Sequence, residues 1–137
     1  MPPVLDFSPV QRTGGYLPIA DYAIIGDGAT AALVGRDGSI DWMCVPRFDS
    51  APLFAAILDH AQGGAFSIAP RGLRESRHYY EPQTGVLVTE MRGTGGLVRM
   101  TDALTLVAGA DLGEDASAAR HELLRSVRVL AGEVELE

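Results

Sequence analysis

Asp37-Gly38 stands between two β-prone runs, Thr30 to Gly35 and Ser39 to Val45, and no other short signal constrains this chain so tightly. Glycine accepts a positive φ at little steric cost, so an Asp-Gly step between such runs predicts a hairpin closed by a type I′ turn. Similar punctuation recurs at Gly63-Gly64, Gly93-Thr94-Gly95-Gly96 and Ala131-Gly132. Between these breaks lie the strand-like stretches 65–69, 77–81, 85–92, 97–104 and 121–130, the third and fourth forming a second hairpin. Short alternating strands separated by turn signals at roughly 8–12-residue spacing predict a mainly β chain, folded as an antiparallel β-sandwich.

Period-two alternation in the first hairpin places Ile40, Trp42 and Cys44 on one face and Asp41, Met43 and Val45 on the other. Asp41 is then the charged member of an otherwise apolar set. After Pro46, Ser50 can cap a helix and Pro52 suits its first turn, which predicts one short helix near residues 51–59. Residues 1–15, with three prolines and a Gly14-Gly15 ending, read as an irregular leader before a domain spanning 16–137. The small, acidic segment 107–119 reads as a mobile loop. Residues 133–137 read as the start of a further strand, so the sandwich is expected to be an incomplete fragment with an open edge able to recruit a neighbour.

The 137 residues carry 18 acidic and 11 basic side chains, a net charge of −7 and a pI near 4.8. That balance argues against nucleic acid or an anionic membrane as partner, and a neutral sugar would be indifferent to it. Every basic residue is Arg. Cys44 is the single cysteine, which excludes an internal disulfide and any multi-Cys zinc site. No basic stretch precedes an apolar run at the N-terminus and no run of 18 apolar residues occurs, so the expected location is cytoplasmic.

His60, His78 and His121 lack the spacing of a zinc set, and the glycine clusters lack the spacing of a phosphate-binding loop, so neither a metal nor a cofactor is expected. Glycosidic hydrolysis requires two carboxylates, about 6.5–9.5 Å apart for inversion. The acidic residues offer no pair that stands out, and no catalytic residue is nominated. The stretch 41–49 does concentrate Asp41, Trp42, Arg47, Phe48 and Asp49. An aromatic face beside charged hydrogen-bonding groups suits a sugar ring. Core packing is the simpler account of Trp42, whereas pairing with Asp49 or Asp41 accounts for Arg47 as well as a sugar contact does.

The string from Pro18 to Asp59, with its DYAIIGDG entry and its GRDGSIDW and PRFDS core, resembles the N-terminal domain of prokaryotic glycoside hydrolase family 15 enzymes, the glucoamylase and trehalase group. Looser similarity extends over residues 16–137. The resemblance implies a β-sandwich, continuing past residue 137, that precedes and packs on a catalytic (α/α)6-barrel. There an inverting pair of glutamates would hydrolyse α-glucosidic bonds. No position here matches either glutamate's motif. On this reading Asp41, Trp42, Arg47, Phe48 and Asp49 face the barrel and border its substrate pocket. Two other readings remain: a free-standing carbohydrate-binding module stacking sugars on Trp42, Tyr79 and Tyr80, and a structural element that forms edge-strand homo-oligomers.

Overall fold

The computed structural model describes residues 6–109 and 118–137. Ten strands form two antiparallel five-stranded sheets. The first sheet runs β1 (Ser8–Pro9), β7 (Glu75–Tyr80), β8 (Leu87–Arg92), β9 (Gly96–Leu106) and β10 (Ala119–Gly132). The second runs β2 (Tyr22–Gly26), β3 (Ala31–Gly35), β4 (Ser39–Cys44) and β5 (Pro52–Phe54), with β6 (Phe66–Ser67) also pairing with β4. Both expected hairpins are present, as β3–β4 and β8–β9. Most of the 107–119 segment, expected to be a mobile loop, lies outside the described residues.

The apolar faces meet between the sheets because strand alternation aims one side of each strand inward. Ile25, Ala32, Val34, Ile40 and Met43 from one sheet pack with Leu87 and Leu104 from the other. Met91, Val98 and Met100 form a second cluster against Ile68, Leu73 and Val127.

The first hairpin corrects two expectations. Gly38 alone is left-handed, at φ +81°, and its N–H donates to the Gly35 carbonyl at 2.9 Å. A type I′ turn requires two left-handed residues, and Asp37 instead accepts the Ser39 N–H with its carboxylate at 3.2 Å. A Cβ on Gly38 would lie 2.1 Å from the Ile68 carbonyl oxygen, so the approach of the 65–69 segment excludes any side chain there. The second correction comes from a bulge. Val34 pairs with Ile40 and Leu33 with Trp42, so Asp41 is the extra residue on β4. The alternation therefore slips, and Met43 rather than Trp42 joins Ile40 in the core.

The helix expected near residues 51–59 does not form. Pro52–Phe54 instead pairs with Met43 and Cys44 as an edge strand, where a missing N–H is tolerated. Ser50 does not cap a helix, since its Oγ accepts the Arg47 N–H at 3.1 Å. A helix this short has little stability of its own, and the open edge of β4 outcompetes it. After β5 the chain enters a turn in which Leu58 N–H donates to Ala55 O at 2.9 Å. The only helical turn among the described residues is the 3₁₀ segment Ile19–Asp21.

The leader is not irregular throughout. Ser8 and Pro9 pair with Ser76 and Glu75, and Thr13 bridges Tyr16. At the other end, Glu137 and Ala69 exchange both backbone hydrogen bonds at 2.9 Å about a bridge between Leu136 and Pro70, and Glu135 O accepts the Arg71 N–H at 2.8 Å, so the 133–137 segment is held without forming a strand. No helix among the described residues is long and apolar enough to cross a membrane.

Candidate functional site

The polar residues of the first hairpin divide into an inner set that ties the fold together and an outer set on one exposed loop. Asp41, 1% exposed, belongs to the inner set. Its Oδ1 accepts the Ser39 hydroxyl at 2.6 Å, and its Oδ2 accepts Arg12 Nη2–H at 2.8 Å and the Tyr22 hydroxyl. Arg12 also donates from Nε to Asp37 at 2.7 Å and from Nη1 to the Gly15 carbonyl at 3.0 Å. Burial works against the Arg12 charge, but the bonds to Asp37 and Asp41 outweigh it and hold the guanidinium protonated above its ordinary range. Burial and the Asp41 carboxylate together push the Tyr22 phenol up. Asp41 thus fixes the N-terminal segment to the hairpin, and its carboxylate is not presented to solvent.

Two further arginines fasten the sheets to one another. Arg36 pairs with Asp21 at 2.8 Å and donates to the carbonyls of Ser76, Ser8 and Pro9 at 3.0–3.2 Å. Arg125 donates to the fully buried Asp102 at 2.7 Å and to the Phe66 and Gly38 carbonyls at 2.7 and 2.8 Å, with its guanidinium 4.9 Å from the Phe66 ring centre. On the outer face of the first sheet, burial alone would raise the Glu90 carboxyl, but hydrogen bonds from Arg99 and Arg77 hold it below its usual range. None of these pairings is legible in the sequence, because the partners stand up to 87 residues apart.

His78 lies beside the Arg36 bridge, and no hydrogen-bond partner for its buried Nδ1 is found among the described residues. Burial, reinforced by the Arg36 charge and opposed by Asp21, lowers its pKa from 6.5. Protonation therefore favours the unfolded chain: the stabilisation is complete above pH about 6.5 and is lost as pH falls toward the folded-state value. Unfolding by urea should accordingly show stability declining from about pH 7.5 to 5.5, and His78→Gln should flatten that slope. An unchanged slope in the variant would contradict this account of His78.

The outer set is Arg47, Phe48 and Asp49. These side chains are 71%, 64% and 75% exposed, yet their loop is anchored: Phe48 N–H donates to Ala29 O at 3.0 Å and Ser50 N–H to Arg47 O at 3.1 Å. Arg47 and Asp49 pair at 3.1 Å. Together with Gly28, Ala29, Ala119 and His121 they line an open cleft of about 570 Å³. His121, expected from the sequence to be a surface or strand residue, reaches this position through a bulge in β10 at which its φ is +59°.

Of the five candidates, the fold therefore brings three together in this cleft. Asp41 lies among the tying residues. Trp42 stands elsewhere, half-buried in a cross-strand apolar row with Leu33 and Ile24 on the outer face of the second sheet. Trp42, Tyr79 and Tyr80 do not make one stacking platform. Tyr79 is opposite Val88, whereas the Tyr80 hydroxyl donates to Ile24 O and accepts Ile24 N–H. Asp49 is the one carboxylate among the described residues lining the cleft, and inverting hydrolysis needs two. No cluster of three or more metal-ligating side chains occurs among the described residues.

Comparison with known proteins adds to this geometry. The family described as trehalase-like, N-terminal, matches residues 14–135. A trehalase of Mycobacterium tuberculosis is 36% identical over 129 residues, covering 87% of this chain and 19% of that protein. A trehalase of Mycolicibacterium smegmatis gives the same identity and coverage. One from Thermoplasma volcanium is 42% identical over 91 residues, covering 64% of this chain and 15% of that protein. The chain thus spans about a fifth or less of these relatives. No solved structure matches.

Proposed function

Because the chain belongs to the trehalase-like N-terminal domain family, we propose that it acts as the non-catalytic N-terminal domain of an inverting α-glucoside hydrolase, packing on an (α/α)6-barrel and helping to border its active site. The observation that carries this reading is the alignment of 87% of the chain with under a fifth of a trehalase, which leaves most of the relative's length for the chemistry. The site geometry supports it in two ways. Among the described residues a single carboxylate lines the cleft, which fits a reacting pair supplied from elsewhere. The loop of Arg47, Phe48 and Asp49 is anchored by backbone hydrogen bonds while its side chains remain exposed, which suits residues that meet another surface. The outer row of Ile24, Leu33 and Trp42 offers apolar area for the same contact.

Glucose release from trehalose and from maltotriose tests the proposal, comparing this chain with a longer one that carries the barrel. The short chain should be inactive and the long one active. Within the long protein, joint substitution Arg47→Ala and Phe48→Ala should lower kcat/KM about tenfold, corresponding to loss of one or two modest contacts of ~1.4 kcal/mol in all. The same substitutions in the short chain should leave its melting temperature unmoved, since both side chains are exposed there. Turnover by the short chain alone would overturn the assignment.

A further inference from the structure

The bulge in β10 sets His121 apart from the rest of its strand. Between the Ala119–Leu106 and Leu123–Leu104 pairs, three residues of β10 stand opposite Thr105 alone, and the middle one, His121, has a φ of +59°. Left-handed backbone is unfavourable for a residue with a side chain, and residues held in it gather at active sites and ligand clamps. Gln83, the other such residue among the described ones, lies in a turn closed by the Thr84 N–H on Glu81 O, where left-handed backbone is ordinary. His121 lies within a strand. Its neighbours are engaged with each other and with β9: Arg120 pairs with Glu122 at 3.3 Å, and Glu122 accepts the Thr105 hydroxyl at 2.9 Å. Of the three, His121 is the one that lines the cleft.

The rest of the cleft wall is fixed by its own backbone. Asp27, 5% exposed, accepts the Ala29 and Thr30 N–H groups on Oδ1 at 2.9 Å, and Ala29 O in turn accepts the Phe48 N–H at 3.0 Å. Phe48 therefore presents an exposed ring from an anchored loop, with Arg47 and Asp49 paired beside it. An aromatic face with charged groups next to it suits a pyranose, whose C–H groups pack on the ring while its hydroxyls take the hydrogen bonds. The cleft volume of about 570 Å³ lies within the range of small-molecule sites. One carboxylate lines the cleft among the described residues, and it is paired with Arg47. Such a lining suits a sugar that is held rather than one whose bond is attacked between two carboxylates.

We infer that the cleft is a subsite for the glucose unit that leaves during hydrolysis, with Phe48 stacking on its ring and His121 hydrogen-bonding one of its hydroxyls. The inference rests on the proposed placement of this domain beside an α-glucoside hydrolase site, and adds to it a residue of the first sheet and a particular sugar unit. Both sheets then contribute to the subsite. The 47–49 loop follows β4 and His121 lies in β10, so the packing of the sheets sets the gap between them.

Kinetics of the long protein on two substrates test it. Trehalose carries a second glucose as its leaving group, whereas α-glucosyl fluoride releases fluoride and has none. Glycine removes the imidazole and accepts the left-handed φ, so His121→Gly should lower kcat/KM for trehalose about tenfold and leave that for α-glucosyl fluoride unchanged. His121→Asn tolerates the same φ and keeps a hydrogen-bonding side chain, so it should lose less. Because both substitutions suit the backbone, neither should lower the melting temperature of this chain. Equal loss on both substrates would make His121 a structural residue and overturn the inference, and so would an unchanged rate on trehalose. A long native protein that hydrolyses neither substrate would sink the domain assignment itself, and the inference with it.

Discussion

Replacing Asp102 with Ala is expected to destabilise the fold by about 3–5 kcal/mol, the usual cost of stranding one member of a buried ion pair. Asp102 is fully buried, and the Arg125 side chain that it holds is 3% exposed. The Phe66 and Gly38 carbonyls would still accept hydrogen bonds from Arg125, but neither neutralises its charge. Against a total stability of about 5–15 kcal/mol, such a loss lowers the melting temperature by roughly 10–20 °C. Chemical denaturation of native and substituted chains measures it directly. A double substitution, Asp102→Leu with Arg125→Met, should recover part of the loss and not all. It removes the buried charges, but it also removes the two bonds by which Arg125 reached the Phe66 and Gly38 carbonyls of the other sheet, the second of which keeps the Ile68 N–H. A change below about 1 kcal/mol in the single substitution would mean that the pair is solvated and does not join the sheets.

The second large effect is expected at Asp41. Asp41→Ala removes the acceptor of the Ser39 and Tyr22 hydroxyls and one of the two carboxylates facing Arg12. Three bonds to a charged group are lost together, for about 3 kcal/mol in all, less than their sum because Arg12 keeps Asp37 and Tyr22 can turn toward water. The distinguishing readout is local. Arg12 anchors the segment that carries β1, so hydrogen exchange at Val10, whose N–H donates to Arg74 O, should accelerate more than exchange within β8. Asp41→Asn should be milder, since it keeps one acceptor oxygen. Uniform acceleration across both sheets would instead assign Asp41 a general role in stability, with no special hold on the N-terminal segment.

These two sites explain why the first hairpin is so rich in polar groups. Arg36, Asp37, Gly38 and Asp41 all take part in bonds that reach outside the hairpin, to β7, the N-terminal segment and β10, and Ser39 donates to Asp41 within it. The density of charge that suggests chemistry is here mostly architecture. The residues free to meet something else begin after Pro46, where Arg47, Phe48 and Asp49 project from a loop held by backbone bonds to Ala29 and within itself.

Strand positions are legible in the sequence because they depend on local quantities: alternation, β-branched content and turn residues. Both hairpins and the strand beginning near His121 derive from those quantities alone. The family resemblance is legible for a related reason, since its motifs are contiguous strings. The 51–59 segment reads as a helix because a nine-residue window carries its own helix signals but does not record the open edge of β4 that captures Pro52–Phe54. Trp42 and Met43 fall on the opposite faces from those expected because one inserted residue at Asp41 reverses the alternation after it, and period-two counting assumes no insertion. The ion pairs of Arg12, Arg36 and Arg125, the bulge that turns His121 into the cleft and the meeting of residues 28–29, 47–49 and 119–121 were decided by tertiary structure alone. Each depends on distances between residues far apart in the chain, which packing of the two sheets sets and no local pattern encodes.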